Sequence, residues 1–399
     1  MKKINILAEA QAIRETVVAD RRALHEQPET GFDLKNTLTY VCARLEELGC
    51  SPKPCGKAGL TATVGSGGPV FLLRADMDAL PIREEAEIPF ASRNGNMHAC
   101  GHDMHTAMLL GAARLLKKHE KELKGTVKLM FQGAEELLEG AKDMLESGLL
   151  EEPKPEAGMM VHVMTGSDLP TGTVTVCDGG VSAPGAAYFT INVQGKGCHG
   201  AMPNMGIDPI TASAHILLGL QGIRARELGF SEDAVLTVGT FQAGNRPNII
   251  PDTAMLQGSL RAFEGDTMTF MQRRTEEIAA GTAGAHRATA QVVWDTVCPP
   301  LVNDSTLSEQ TARWTEELLG SGRTLTQKQL AGKVRSSGSE DFAYVSQQIP
   351  TIMVSLAAGS REEGHVYPLH HPKVTFSEEA LVPGIAVLVN TAMRWLETR

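Results

Sequence analysis

The sequence predicts an α/β protein of two domains: a large α/β/α domain around a central, mostly parallel sheet, and a smaller α+β domain inserted into it. Three observations carry this reading. At 399 residues the chain exceeds the usual size of a single hydrophobic core. Short unbroken apolar runs such as Val70-Phe-Leu-Leu73 alternate with amphipathic helical segments over the first 180 residues, as in a sheet covered on both faces. From about Gly180 the texture changes to half-buried alternating strands, and after Pro299-Pro300 the first texture returns. The expected division is therefore 1–180 with 296–399 for the larger domain and 181–295 for the insert.

Taken in order, Ile6, Ala10, Ile13, Val17 and Leu24 follow helical spacing, and Pro28 ends that segment. Leu38, Val41, Leu45 and Leu48 make a second amphipathic helix with Gly49 at its end. His25 lies between the two and reads as a structural histidine at a helix end. The Val70–Leu73 strand runs into Arg74-Ala-Asp76-Met-Asp78-Ala-Leu-Pro81. Ligands of open α/β sheets collect at the carboxyl ends of strands, so Asp76 and Asp78 are placed either to steady a ligand histidine from behind or simply to cap the following turn. A helix carrying Leu109, Ala112, Ala113 and Leu116 comes next, then a strand over Val127–Phe131 with Glu135-Glu136 just past its end. A short helix around Ala141, Met144 and Leu145 stops at Gly148, and Gly158-Met-Met-Val161 forms a strand that delivers His162. Three successive strand ends thus present acidic residues or a histidine.

In the insert, Ala187, Phe189, Ile191 and Val193 alternate with polar residues, as do 235–241, 254–260 and 289–294. Helical stretches near 208–227 and 265–280 lie between them. Four strands and two helices make a small α+β domain whose sheet is open on one face. Gly195-Lys-Gly-Cys-His199-Gly-Ala-Met-Pro203 is its most loop-like, polar stretch. Beyond the insert, a helix from about Asp304 to Leu319, a buried strand over Thr351–Leu356, the segment His365-Val-Tyr-Pro-Leu-His370-His371-Pro372 and a closing helix to Trp395 complete the larger domain.

Composition excludes several classes. Apolar residues make up 42% and charged residues 21%, with a net charge of −10, and no basic stripe or basic–aromatic surface points to nucleic acid or an anionic membrane. No secretory signal or membrane-length apolar run is visible. Seven cysteines without disulfide-framework spacing read as reduced thiols in the cytoplasm.

The chemistry centres on Met97-His98-Ala99-Cys100-Gly101-His102-Asp103-Met104-His105-Thr106. Three histidines, a cysteine and an aspartate crowd together in a chain with only twelve His and seven Cys. Thiolate, imidazole and carboxylate are the donors that borderline-soft divalent metals take from proteins. Cys100, His102, Glu136, His162 and His370 supply five such donors. A catalytic metal needs three protein ligands and an open position, so five ligands with one shared suit two metals about 3.5–4 Å apart. Of the adjacent pair Glu135-Glu136, one can bind metal while the other faces the attacking water. That combination is machinery for hydrolysing an amide or ester.

Arg74–Pro81, His98-Ala-Cys-Gly-His-Asp-Met-His105, Phe131-Gln-Gly-Ala-Glu-Glu136, Gly206-Ile-Asp-Pro209, Asn248-Ile-Ile-Pro251, Gly338-Ser-Glu-Asp-Phe342 and Leu369-His-His-Pro372 fall in order along essentially the whole chain. Together they resemble the aminoacylase/hippurate hydrolase/indole-acetyl-amino-acid hydrolase subfamily of the dinuclear aminoacylase–carboxypeptidase metallopeptidases. The resemblance implies a zinc-exopeptidase-like catalytic domain with an inserted lid that often dimerises, giving a homodimer or higher homo-oligomer. It implies two divalent ions per chain (Zn, Mn or Co) bridged by Cys100, with His102 and His162 on one and Glu136 and His370 on the other. Glu135 would be the general base, His199 the lid histidine that polarises the substrate carbonyl, often in the partner's site, and Asn248 a substrate neighbour. The implied substrate is an N-acyl amino acid or short peptide, cleaved to a carboxylate and a free amino acid. Gly133, Asn204 and His371 depart from the usual residues, and His370 rather than His371 is taken as the ligand by motif register.

Three rival readings remain open on sequence alone. A dipeptidase or aminopeptidase of the same dinuclear class would act on a free amino terminus. A Cys100-nucleophile amidase would survive chelation. A structural metal protein would need neither Glu135 nor a fifth ligand.

Overall fold

The computed structural model describes residues 4–330 and 338–399. The chain divides into two compact units, Met1–Ser182 with Val302–Arg335 and Tyr344–Arg399, and Ala183–Leu301 with Ser336–Ala343.

The first unit is built on an eight-stranded sheet in the order Lys53–Pro54, Leu60–Gly65, Thr126–Gln132, Val70–Asp76, Ala157–Met164, Thr351–Ala357, Val174–Val176, Thr324–Thr326. Its centre is parallel, with Asp76 opposite Gln132, Arg74 opposite Met160 and His162 opposite Ser355. Antiparallel strands complete it on both sides. Val70–Asp76 and Thr126–Gln132 are buried along their full length, which is why Val70–Leu73 and Leu129–Phe131 are unbroken apolar runs and not alternations. The helices His102–Lys118 and Leu381–Glu397 are buried along most of their length, and the Trp395 ring lies 5.1 Å from that of Phe71.

The first amphipathic segment is two helices, Ile6–Ala12 and Arg14–His25, not one. Ile13 leaves the helical region, and its N–H bonds back three residues to the Ala10 carbonyl. The apolar spacing continues across this break, so periodicity could not reveal it. Asn5 caps the first of the two by accepting the Ala8 N–H.

The second unit carries an antiparallel sheet in the order Ala234–Ala243, Thr253–Ala262, Gly185–Gln194, Thr289–Cys298. Phe189, Ile191, Val193, Leu256 and Leu260 form its core with Ile216 and Leu220 of helix Pro209–Gly222 and Met271 of helix Gly265–Ala285. The opposite face, with Asn192, Gln257 and Gln291, is exposed, as the alternation predicts. The stretch expected to be loop contains a short strand instead. Cys198–His199 pairs with Ile249–Ile250, a two-residue ladder too short to leave any period in the sequence. Among the described residues no helix is long and apolar enough to cross a membrane.

Candidate metal centre

Three strand ends and one helix start meet in the first unit. Past Asp76, the Met77 N–H donates to the Gln132 carbonyl and ties two neighbouring strand ends together. The buried Asp78 carboxylate then accepts the backbone N–H of Glu135 (2.9 Å) and of Glu136 (3.1 Å). One side chain therefore sets the path of both glutamates. Ala134 and Leu138 on either side of them hold φ of 56°, a left-handed conformation that non-glycine residues adopt at a cost of about 1–3 kcal/mol and that clusters at functional sites. Gly101 separates Cys100 from His102 at φ 84°, and a Cβ there would lie 2.4 Å from Val163 Cγ2. Only glycine permits the turn that points both side chains the same way.

The histidines are aimed by their hydrogen bonds. Nδ1–H of His102 donates to the Asp78 carbonyl (2.8 Å), and Nδ1–H of His162 donates to the Val163 carbonyl (2.7 Å). Both rings are thereby turned so that Nε2 is the nitrogen left for a metal. Nε2 of His162 lies 3.6 Å and Nε2 of His370 3.3 Å from Cys100 Sγ, and the latter is 3.5 Å from Glu136 Oε1. Two triads result, Cys100–His102–His162 and Cys100–Glu136–His370, with the thiol common to both. His370 sits at φ 65°. Its neighbour His371 turns away: its Nδ1 accepts the Lys373 N–H, and its ring stacks on Tyr367 at 4.3 Å.

The electrostatics call for a cation. Burial pushes the Cys100 thiol up and raises Glu136 to about 7, with the Asp78 and Asp76 carboxylates adding to the shift. Burial presses His102 down, but the Asp76 carboxylate and the bond to Asp78 outweigh it and hold the ring well above its ordinary value. Burial depresses His162 to about 3 and lowers His370 as well, so both are neutral, the form that binds metal. His102 Nε2 and Glu136 Oε1 are buried without a hydrogen-bond partner. Unpartnered buried donors of the right chemistry around one thiol fit a divalent-metal centre. Glu135 is buried too, its Oε2 4.0 Å from His102 Nε2.

Other residues of the central stretch do not join the two triads. His98 is buried with neither ring nitrogen bonded, and burial drives it to about 3. His25, read as a helix-end histidine, does end its helix but is fully buried, bonded to Asp103 at 2.9 Å and to Glu84 at 3.1 Å. Arg21, one turn earlier, donates to the same Asp103 oxygen at 2.7 Å. Burial would raise Asp103, yet Arg21 and His25 hold it far below the usual carboxylate range. The i,i+4 spacing of Arg21 and His25 was the sequence signal for this clamp. Arg21→Leu, which strands a buried carboxylate, should cost about 3–5 kcal/mol, read as a lowered urea midpoint.

His199 and Asn248 belong to the second unit. They lie side by side there: His199 pairs with Ile249, and the Gly200 N–H donates to the Asn248 carbonyl at 2.8 Å. Both are exposed.

Residues 72–394 match the model of peptidase family M20/M25/M40. The chain is 37% identical to an N-acetylcysteine deacetylase of Bacillus subtilis (strain 168), over 97% of this chain and 99% of that protein. It is 36% identical to the IAA-amino acid hydrolase ILR1-like 4 of Arabidopsis thaliana, over 99% and 89% respectively. Among solved structures it resembles the Bacillus subtilis YXEP protein, described as a dinuclear metal binding peptidase from the M20 family, with a TM-score of 0.79 and 34% identity over 98% of this chain and all of that one. These relatives are named for deacetylating N-acyl amino acids and for hydrolysing amino acid conjugates, reactions at amide bonds. With a family match over most of its length and relatives aligned nearly end to end, the chain belongs to peptidase family M20/M25/M40.

Proposed function

We propose that this protein is a metal-dependent amidohydrolase that cleaves N-acyl amino acids to a carboxylate and a free amino acid. The observation that carries the reading is the pair of donor triads sharing Cys100, with Glu135 beside them and outside both. Cys100, His102 and His162 would hold one divalent ion, and Cys100, Glu136 and His370 the other. Bound there, the ions supply Lewis acidity at the scissile carbonyl and at the attacking water. Glu135 takes the proton of that water and delivers it to the leaving amide nitrogen. Asp78 holds the Glu135–Glu136 backbone and the His102 ring at fixed positions. The relatives' names support an acyl amino acid as substrate. Hydrolysis of N-acetyl amino acids, set against that of dipeptides with a free amino terminus, tests it: faster cleavage of the dipeptides would assign a dipeptidase or aminopeptidase instead. A reducing compartment, the cytoplasm, suits a centre built on a thiol.

We also propose that copies of the chain pair through the second unit. Its edge strand Ala234–Ala243 exposes Val235 and Phe241, and helix Pro209–Gly222 exposes Leu218. In this reading His199 donates a hydrogen bond to the oxyanion formed at the scissile carbonyl, and Asn248 contacts the substrate. One such donor is worth roughly a hundred- to thousand-fold in turnover. His199→Ala should lose that much and keep its metal content. Mixing His199→Ala with Glu135→Gln chains should restore part of the activity if the histidine serves the partner's site. Unchanged turnover in His199→Ala would remove the role.

A further inference from the structure

We infer that His105 is a positioning residue for His162, acting through the backbone amide of Val163; this rests on the proposed role of His162 as a metal ligand. His105 stands one turn into helix His102–Lys118, its ring 4.7 Å from that of His162 and 5.4 Å from that of His102. By residue type and proximity it is a ligand candidate, since it groups with Asp76 and His102. Its hydrogen bonds say otherwise. The Val163 N–H donates to Nε2 at 2.8 Å, and Nδ1–H donates to Asp76 Oδ1 at 2.6 Å. Both ring nitrogens are committed, and no lone pair is left for a metal.

The sheet explains why the Val163 amide needs this partner. The ladder between Ala157–Met164 and Val70–Asp76 stops at Arg74 opposite Met160. Beyond that point the far end of the Ala157–Met164 strand has lost its neighbour on that side, and an unbonded buried N–H is costly. The His105 ring supplies the acceptor that the shorter strand does not. Asp76 anchors the ring: its other oxygen accepts from Arg74 at 2.8 Å, and its carbonyl accepts the Thr106 hydroxyl at 2.8 Å. Arg74, Asp76, His105 and Val163 are all buried. The chain of bonds therefore runs from one strand end through the helix to the peptide at the Cα of His162. From there the His162 ring, tied at Nδ1, aims Nε2 at Cys100. Outer partners of this kind change metal affinity by about 10–100-fold when removed.

The test is a Zn²⁺ titration of metal-free protein against a chelating dye, with the melting temperature of the metal-free form recorded alongside. Wild type should take up two equivalents. His105→Asn reaches Asp76 but not the Val163 amide, and should weaken one equivalent by about 10–100-fold while leaving the other. His105→Gln, whose carbonyl oxygen can reach that amide, should weaken the same equivalent by less than about 10-fold. Where His105→Asn does not fold, His105→Gln decides in the same way. Equal weakening of both equivalents, or a lower melting temperature with unchanged affinity, would overturn the inference and make His105 merely structural. A wild-type protein that takes up fewer than two equivalents would instead overturn the metal reading on which it rests.

Discussion

Glu135→Gln should leave the fold and the metal content intact and remove most turnover, by about a hundred- to ten-thousand-fold. The substitution is nearly isosteric and keeps the backbone N–H that Asp78 holds at 2.9 Å, so the loop keeps its anchor. What it removes is the proton acceptor. Glu136→Gln, one residue on, should behave differently. Glu136 Oε1 lies 3.5 Å from His370 Nε2 within the second triad, so that variant should lose metal before it loses chemistry. The contrast between two adjacent glutamates is the diagnostic result. Near wild-type turnover in Glu135→Gln would mean that the two roles are reversed or that the base lies elsewhere.

Cys100→Ser should lower the occupancy of both metal positions together and abolish activity at ordinary metal concentrations. The thiol is the single donor common to both triads. Serine offers a hydroxyl whose proton is far harder to remove, and a soft ligand is exchanged for a hard one. His162→Ala should weaken mainly one position and His370→Ala mainly the other, because each approaches the sulfur from its own triad. Metal content and dissociation constants of the three purified variants check this. A Cys100→Ser protein that holds two ions as tightly as wild type would remove the thiol from the centre. Alkylation of Cys100 is no substitute for the variant, since it blocks a ligand and a nucleophile alike.

Much of this arrangement was legible in the sequence because its signals are local. Cys100 and His102 are two apart, Glu135 and Glu136 follow a buried strand by three and four residues, and His162 lies near the end of another. Strand ends in an open α/β sheet face one way, so residues far apart in number could be placed together. What escaped was set by backbone partners. Asp78 acts on amides 57 and 58 residues away, and no spacing rule links a carboxylate to a peptide N–H. His102 and His105 are the same residue type on one helix turn, and only their hydrogen bonds separate a free Nε2 from a committed one. The break at Ile13 and the short ladder that holds His199 left the apolar pattern untouched. Motif register took His370 over its neighbour His371, but the stack of the second ring on Tyr367 left no signal in the sequence.

Metal-free protein titrated with Mn²⁺ or Zn²⁺, with bound metal and hydrolysis of an N-acetyl amino acid followed in the same samples, tests most directly whether the shared thiol builds a two-metal amidohydrolase. Hydrolysis should be absent without metal, rise with occupancy, level off at two equivalents per chain and disappear again on chelation. Full activity in the metal-free protein, or a plateau at one equivalent, would contradict it.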